Sequence, residues 1–222
     1  GTFVGFTVGI IIGLIRDRLD YVYYNINEIE DELKTPSLGV IPFISVFKNL
    51  KQDQKSILNE DFFDKLNQNE RKERFFYEEA YRNLFTSVRF LDTNNDLKIL
   101  ALTSSIPSEG KTLTNILFAK TLHEVGQRVL LIDADLRKPK IHVRLGLNNI
   151  SGLSNILTDK NLDIDSVVQK IPAFDSWYVI TSGIIPPDPT RILGSERMKL
   201  IFEELKKSKK YDYVIVDCPP VL

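Results

Sequence analysis

The chain has 222 residues, which is enough for one sizeable domain with extensions. Its 29 lysines and arginines nearly balance its 30 aspartates and glutamates. The net charge of −1 therefore shows no overall excess of positive charge of the kind that binds nucleic acid. The single cysteine, Cys218, excludes a disulfide framework within the chain and fits a reducing compartment.

The N-terminal residues 1–15 carry no charge and are followed at once by Arg16 and Arg18. Fifteen helical residues rise about 22 Å, short of the roughly 30 Å hydrocarbon core of a bilayer. We therefore predict that residues 1–18 are the C-terminal part of a transmembrane helix that begins before this sequence. Basic residues after the apolar run, rather than before it, argue against a signal peptide and place the following chain in the cytoplasm. A buried hairpin helix of a soluble domain is the alternative.

Residues 19–75 are predicted to form a juxtamembrane segment and a linker. The pattern from Asp17 to Leu33 is amphipathic and acidic, and residues 36–42 are a compact extended segment bounded by prolines. Residues 48–75 are rich in lysine, asparagine, aspartate, glutamine and glutamate, which indicates a solvated linker.

A helix is predicted from Phe76 to Leu91, and an apolar strand at 98–103 then leads into a loop that ends Gly110-Lys111-Thr112. Backbone N–H groups at the start of the next helix, predicted at 111–123, cradle phosphates in such loops, while the lysine meets outer phosphate oxygens and the threonine hydroxyl ligates Mg²⁺. The usual pattern G-x-x-x-x-G-K-[ST] fails at its first position, which is Ser105.

Two further apolar strands end in aspartate. The strand predicted at 128–133 ends in Asp133, and Asp135 lies two residues further on. The strand predicted at 212–217 ends in Asp217. Carboxylates at the carboxyl ends of neighbouring parallel strands converge, and they suit a metal and its water ligands. A plain strand–turn–helix with a solvated lysine would explain neither aspartate segment.

Strands and helices continue to alternate, with a helical region at 151–157, a strand at 177–182 and a helix at 190–207. Alternation of this kind predicts an α/β fold: a P-loop, doubly wound, mostly parallel sheet over residues 76–222. Because the sequence stops just after a core strand, we expect this domain to be truncated at its C-terminus.

Six segments carry a resemblance to a known family. They are Pro-x-Leu-Gly-x-Ile-Pro at 36–42, EAYRNL at 79–84, Ser-x-x-Pro-x-Glu-Gly-Lys-Thr at 104–112, DADLRKP at 133–139, GIIPPDP at 183–189 and YDYVIVDCPP at 211–220. The chain resembles the cytoplasmic half of bacterial tyrosine autokinases, the BY-kinases, which are fused or paired to polysaccharide chain-length regulators. That family's loop also lacks the first glycine. Relatives that partition plasmids or place the division septum have an extra lysine and glycines where this chain has Ile106, Pro107 and Ser108.

The resemblance implies ATP and Mg²⁺ as cofactors. It assigns cofactor binding to Ser105, Pro107, Glu109, Gly110, Lys111, Thr112, Leu113 and Arg137. The metal residues it implies are Thr112, Asp135 and Asp217, and the catalytic residues are Lys111, Asp133 and Asp135. Asp133 is the first candidate for orienting or deprotonating an incoming tyrosine hydroxyl, although Asp133 and Asp135 can exchange these roles. Arg137 stabilises transferred charge or, alternatively, forms an ion pair at the strand end.

Two features depart from the family. The pattern Glu-x-x-Arg-x-x-Arg, tied to ring-like oligomers, here reads Glu79, Arg82 and Phe85, which leaves self-association through this helix open. The family's phosphate-accepting tyrosines cluster in a C-terminal tail that would lie after residue 222, and no internal tyrosine is assigned to replace it.

The expected function is an ATP-dependent, autophosphorylating protein-tyrosine kinase that regulates capsular or exopolysaccharide polymerisation and export. Its expected location is the bacterial inner membrane, with the kinase domain in the cytoplasm, the polysaccharide-export machinery as partner and no nucleic acid. One alternative is a non-kinase P-loop ATPase switch of the partition or septum-site type. Another is a structural polysaccharide co-polymerase whose cytoplasmic domain is stabilised by a nucleotide.

Overall fold

The computed structural model describes residues 5–7, 9–10, 12, 25–43, 66–91, 98–172 and 174–221. The chain divides into two compact units, 1–40 and 41–222. In the first, helix α1 (Ile26–Leu33) begins at Asn25, whose side chain accepts a hydrogen bond from the N–H of Asn27. Most of the predicted transmembrane segment lies outside the described residues. No helix within the ranges described is long and apolar enough to cross a membrane.

The second unit contains the predicted alternation of helices and strands. Its elements are α2 (Gln68–Leu91), β1 (Ile99–Leu102), α3 (Lys111–Glu124), β2 (Val129–Asp133), α4 (Ile141–Leu145), α5 (Leu153–Thr158), a 3₁₀ turn (Ile164–Val167), β3 (Gln169–Lys170), β4 (Trp177–Ile180), α6 (Pro189–Leu193), α7 (Glu196–Lys207) and β5 (Tyr213–Asp217).

The five strands form one sheet in the order β1-β5-β2-β4-β3. β1, β5, β2 and β4 are parallel, and β3 is antiparallel to β4, which confirms the predicted mostly parallel α/β fold. Every residue of β2 and β5 is buried, as expected for central strands covered on both faces. Asp133 pairs in register with Asp217, and Asp217 with Leu102, so the carboxyl ends of β2, β5 and β1 meet at one edge.

Helix α2 begins at Gln68, so the prediction that it starts at Phe76 was wrong. Its start is a capping box: the side chain of Asn67 accepts from the N–H of Glu70, and the Glu70 carboxylate accepts from the N–H of Asn67 at 2.8 Å. Residues 68–75, which we assigned to the linker, therefore belong to the helix. Residues 44–65 of the predicted linker lie outside the described part of the chain.

The predicted helix at 190–207 is two helices. α6 ends at Leu193, and Ser195 caps α7 by accepting a hydrogen bond at its hydroxyl from the N–H of Met198. Two further elements, α4 and the two-residue β3, have no counterpart in our predictions. They are too short to show a periodic pattern.

Helix α2 packs on the sheet through aromatic side chains. Phe85 is buried and lies edge-to-face with Tyr213 of β5, with 5.8 Å between ring centroids. Glu79 and Arg82 stay partly exposed on the same helix and form an ion pair with each other at 2.7 Å. The last position of the family's oligomer pattern is therefore a core residue in this chain.

Candidate nucleotide-binding site

The loop between β1 and α3, residues 103–110, has the backbone of an anion-binding site. Ser108 and Gly110 adopt positive φ values of 71° and 88°, and Gly110 is the residue that precedes the first turn of α3. Alternating backbone conformations of this kind turn successive N–H groups toward one concave surface, and the helix dipole adds positive potential there. A side chain at position 110 would be strained by its φ even though the space around it is open.

Glu109 stabilises this loop from within. One oxygen of its carboxylate accepts hydrogen bonds from the N–H groups of Ser105 and Ile106, at 2.8 and 3.2 Å. We expected Ser105 and Glu109 to contact the cofactor directly. These two hydrogen bonds hold the shape of the loop, and direct contact of Ser105 and Glu109 with the cofactor stays a prediction.

The lysine of the loop binds the two strand-end carboxylates. Lys111 Nζ lies 2.9 Å from Asp135 Oδ2 and 3.2 Å from Asp217 Oδ1, and the three side chains are only 10, 9 and 0 % exposed. Burial alone would lower the pKa of Lys111. The negative charges of Asp217 and Asp135 outweigh burial and hold that pKa above its ordinary value. The three predicted residues therefore meet as one buried charge cluster.

Asp217 is the centre of this cluster. The Thr112 hydroxyl donates to its Oδ2 at 2.7 Å, and the Asn115 amide donates to its Oδ1 at 2.7 Å. Burial raises the pKa of Asp217, while Lys111, Thr112 and Asn115 act in the opposite direction. Asn115 was not predicted. It lies one helical turn after Lys111, and a polar amide directly before the apolar run of residues 116–119 was the available signal in the sequence.

The donor set of Thr112, Asp135 and Asp217 fits Mg²⁺. This cation takes one or two carboxylates and fills its remaining positions with water and phosphate oxygens. Among the residues that the structure describes, no three histidine, cysteine or acidic side chains form a cluster able to hold a metal by themselves. A hydroxyl beside a carboxylate, as in Thr112 and Asp217, is the combination that holds magnesium in P-loop nucleotide triphosphatases.

Asp133 lies beside Asp217 at the carboxyl end of β2. Its Oδ2 accepts a hydrogen bond from the N–H of Ile141 at 3.1 Å, and its Oδ1 is buried without a partner among the described residues. Burial, with a further contribution from the charge of Asp217, raises the pKa of Asp133 to about 7. Asp133 therefore anchors the start of α4 at the edge of the site.

A cavity of about 440 Å³ opens beside the loop. Its walls are formed by Pro107, Ser108, Gly110, Lys111, Thr112, Leu113, Asp135, Arg137, Lys138, Lys140, Arg144 and Pro220. The cavity thus gathers most of the predicted residues, and Asp133, Asp217, Ser105 and Glu109 are not part of its walls. Among the described residues, Arg137 forms no ion pair at the strand end, and its Nη2 donates to the Thr190 hydroxyl of α6 at 2.8 Å.

Replacing Asn115 with alanine is expected to lower the free energy of unfolding by about 1–3 kcal/mol, because Asp217 loses a buried hydrogen bond. Urea denaturation of the parent and the variant measures this change. Asn161→Ala, at an exposed turn position, is the matched control and should leave the urea midpoint unchanged. An Asn115→Ala midpoint equal to that of the control would show that the amide does not stabilise the cluster.

Comparisons with known proteins place this geometry in a family. The AAA domain family matches residues 97–222. The solved kinase domain of the Escherichia coli tyrosine kinase ETK superposes with a TM-score of 0.70 at 30 % identity, covering 88 % of this chain and 72 % of that one. The chain belongs to the AAA domain family and, within it, to the bacterial tyrosine kinases. The resemblance predicted from the motifs is thereby confirmed.

Relatives in the bacterial tyrosine kinase family differ in how much of their length this chain spans. The tyrosine-protein kinase YwqD of Bacillus subtilis is 39 % identical over 146 residues, which cover 65 % of this chain and 59 % of YwqD. The tyrosine-protein kinase wzc of Salmonella typhimurium is 41 % identical over 146 residues, which cover 65 % of this chain and 20 % of wzc. This bacterial tyrosine kinase chain thus spans about three-fifths of the first relative and a fifth of the second.

Proposed function

We propose that this chain is the catalytic part of an ATP-dependent protein-tyrosine kinase. The observation that carries the proposal is the meeting of Lys111, Thr112, Asp135 and Asp217 beside one cavity at the phosphate-binding loop. The names of the matched relatives, tyrosine-protein kinases, support the same reaction.

Phosphoryl transfer depends on positioning and on neutralising charge more than on covalent chemistry. The N–H groups at the start of α3 are oriented to hold a phosphate, and the ammonium of Lys111 neutralises the outer phosphate oxygens. Thr112 and Asp217 would hold Mg²⁺, with Asp135 beside them. The ion supplies positive charge at the phosphates when it is bound.

The position of Asp135 favours it over Asp133 as the residue that orients or deprotonates a tyrosine hydroxyl. Asp135 is a wall of the cavity, and its Oδ1 accepts a hydrogen bond from the N–H of Lys138 at 3.1 Å, which fixes the direction of the carboxylate. A general base must come within hydrogen-bond reach of the proton that it takes. Asp133 is fully buried and holds α4, so we exchange the two roles relative to the first expectation from sequence.

The cellular role that we propose is control of capsular or exopolysaccharide polymerisation and export at the plasma membrane, with the kinase domain on the cytoplasmic side. The motif resemblance supports this role. Self-association through α2 belongs to the same proposal, with Glu79 and Arg82 as the exposed residues available for it.

The test is incubation of the full-length protein with ATP and Mg²⁺, followed by mass spectrometry for phosphotyrosine. Chelation of Mg²⁺ with EDTA is expected to abolish the modification, because the phosphate charge then lacks its counter-ion. Readdition of Mg²⁺ in excess is the control and should restore it. ATP turnover without phosphotyrosine would reject the kinase and favour the ATPase switch.

A further inference from the structure

The short helix α4 brings a cation to the cavity that no motif contains. Arg144 is one of the cavity walls, together with Gly110, Lys111 and Thr112 of the phosphate loop. Its helix is fixed at both ends: Ile141 and Leu145 are buried, and the N–H of Ile141 donates to Asp133. The position of Arg144 is therefore set by the same strand end that supplies the site's carboxylates.

The charge of Arg144 is poorly compensated. The side chain is half-buried, and burial lowers the pKa of the guanidinium, while the charge of Asp217 acts in the opposite direction. In the described part of the chain, no ion pair or side-chain hydrogen bond includes Arg144, although its neighbour Arg137 has Thr190 as a partner. A partly desolvated cation with several unused N–H donors costs free energy unless a ligand pairs with it.

The surroundings of Arg144 favour an anion as that ligand. Residues 136–150 contain four basic residues and no aspartate or glutamate. Among the described residues that form the cavity walls, Asp135 is the single carboxylate, and its two oxygens already accept from Lys111 Nζ and the N–H of Lys138. A planar guanidinium matches phosphate oxygens with two parallel hydrogen bonds.

We propose that Arg144 binds the terminal phosphate of the nucleotide, an assignment that rests on the proposed nucleotide site. Arg144 lines the same cavity as Lys111, which meets the outer phosphate oxygens, and as Thr112, which with Asp217 is assigned to magnesium. In P-loop proteins the metal bridges the outer two phosphates of the nucleotide. Arg144 therefore faces the end of the triphosphate that is transferred, and it distinguishes ATP from ADP.

The experiment measures the affinity of the full chain for a non-hydrolysable ATP analogue and for ADP, each with Mg²⁺, by calorimetry. Arg144→Gln is expected to weaken the ATP analogue about tenfold or more, and ADP less than about twofold, because one charge-assisted phosphate contact is lost. Arg144→Lys keeps the charge without the planar fork and is expected to lose about threefold for the ATP analogue only. Lys160→Gln, an exposed lysine outside the cavity, is the matched charge control and should leave both affinities unchanged.

Unchanged affinities in Arg144→Gln would overturn the assignment, and so would an equal loss for ATP analogue and ADP. If Arg144→Gln binds both nucleotides like the parent but phosphorylates tyrosine more slowly, the assignment is also overturned, since Arg144 would then contact the tyrosine acceptor. If Arg144→Gln does not fold, Arg144→Lys is the test. Affinities of Arg144→Lys for the ATP analogue and for ADP that both equal those of the parent would then overturn the assignment. An ATP-selective loss in a protein that forms no phosphotyrosine would keep this assignment and reject the kinase.

Discussion

Lys111→Met is expected to slow tyrosine phosphorylation by about 10²–10³-fold or more, the size of effect seen when one preorganised electrostatic contact to the transition state is removed. Lys111 is the cation of the phosphate loop that lies against both Asp135 and Asp217. Methionine keeps the length of the side chain and removes its charge. Initial rates of phosphotyrosine formation, normalised to the folded fraction of each protein, measure the effect.

The same substitution should destabilise the folded protein by about 3–5 kcal/mol near neutral pH, because two buried carboxylates are left without their cation. The folded-state pKa of Asp217 is already raised by burial, and loss of Lys111 raises it further. For a carboxylate with a raised pKa, the penalty is absent at low pH and grows as pH rises. Urea denaturation should therefore show a larger difference between variant and parent at pH 8 than at pH 5.

Lys199→Met is the control, since Lys199 is exposed and pairs with Glu196 on the surface of α7. It should leave both the rate and the unfolding midpoint close to those of the parent. ATP turnover by Lys111→Met at the parent's rate would remove the catalytic interpretation and favour a nucleotide site that only stabilises the fold. A variant of unchanged stability would show that the buried cluster does not depend on its lysine.

The fold and half of the site could be predicted because their signals are local. β2 and β5 are continuous apolar runs that end in aspartate, and each run reads as a buried parallel strand. Gly110-Lys111-Thr112 opens a helix directly after β1. Because parallel strands place their carboxyl ends at one edge, the sequence predicted that Lys111 and the aspartates meet.

The sequence could not decide what depends on contacts between distant segments. Asp133 and Asp135 are two residues apart at one strand end, and only the bond from Ile141 to Asp133 shows which of them turns away from the cavity. Arg144 reaches the cavity from a five-residue helix that is too short to show periodicity. The early start of α2 was missed because its capping box lies in a polar stretch, which we interpreted as linker.

Asp133→Asn is expected to raise the free energy of unfolding above pH 7 by ~4 kcal/mol, since each unit of pKa shift is worth about 1.36 kcal/mol. The pKa of Asp133 is about 7 in the folded protein against an ordinary value of 3.8. A raised carboxylate pKa means that the folded state holds the proton more tightly, so stability falls as pH rises from about 4 to about 7. The parent should lose stability over this window, and the variant, whose amide oxygen still accepts from Ile141, should lose far less.

The activity of the same variant tests which aspartate serves the acceptor. With Asp135 in that role, Asp133→Asn keeps most of the phosphorylation rate, while Asp135→Asn loses about 10²-fold or more, the usual contribution of a positioned general base. Asp135→Asn is also the matched control for stability. It removes a partner of Lys111, so it should not share the gain above pH 7. If Asp133→Asn instead loses about 10²-fold or more of the phosphorylation rate while Asp135→Asn keeps most of it, the role of general base returns to Asp133.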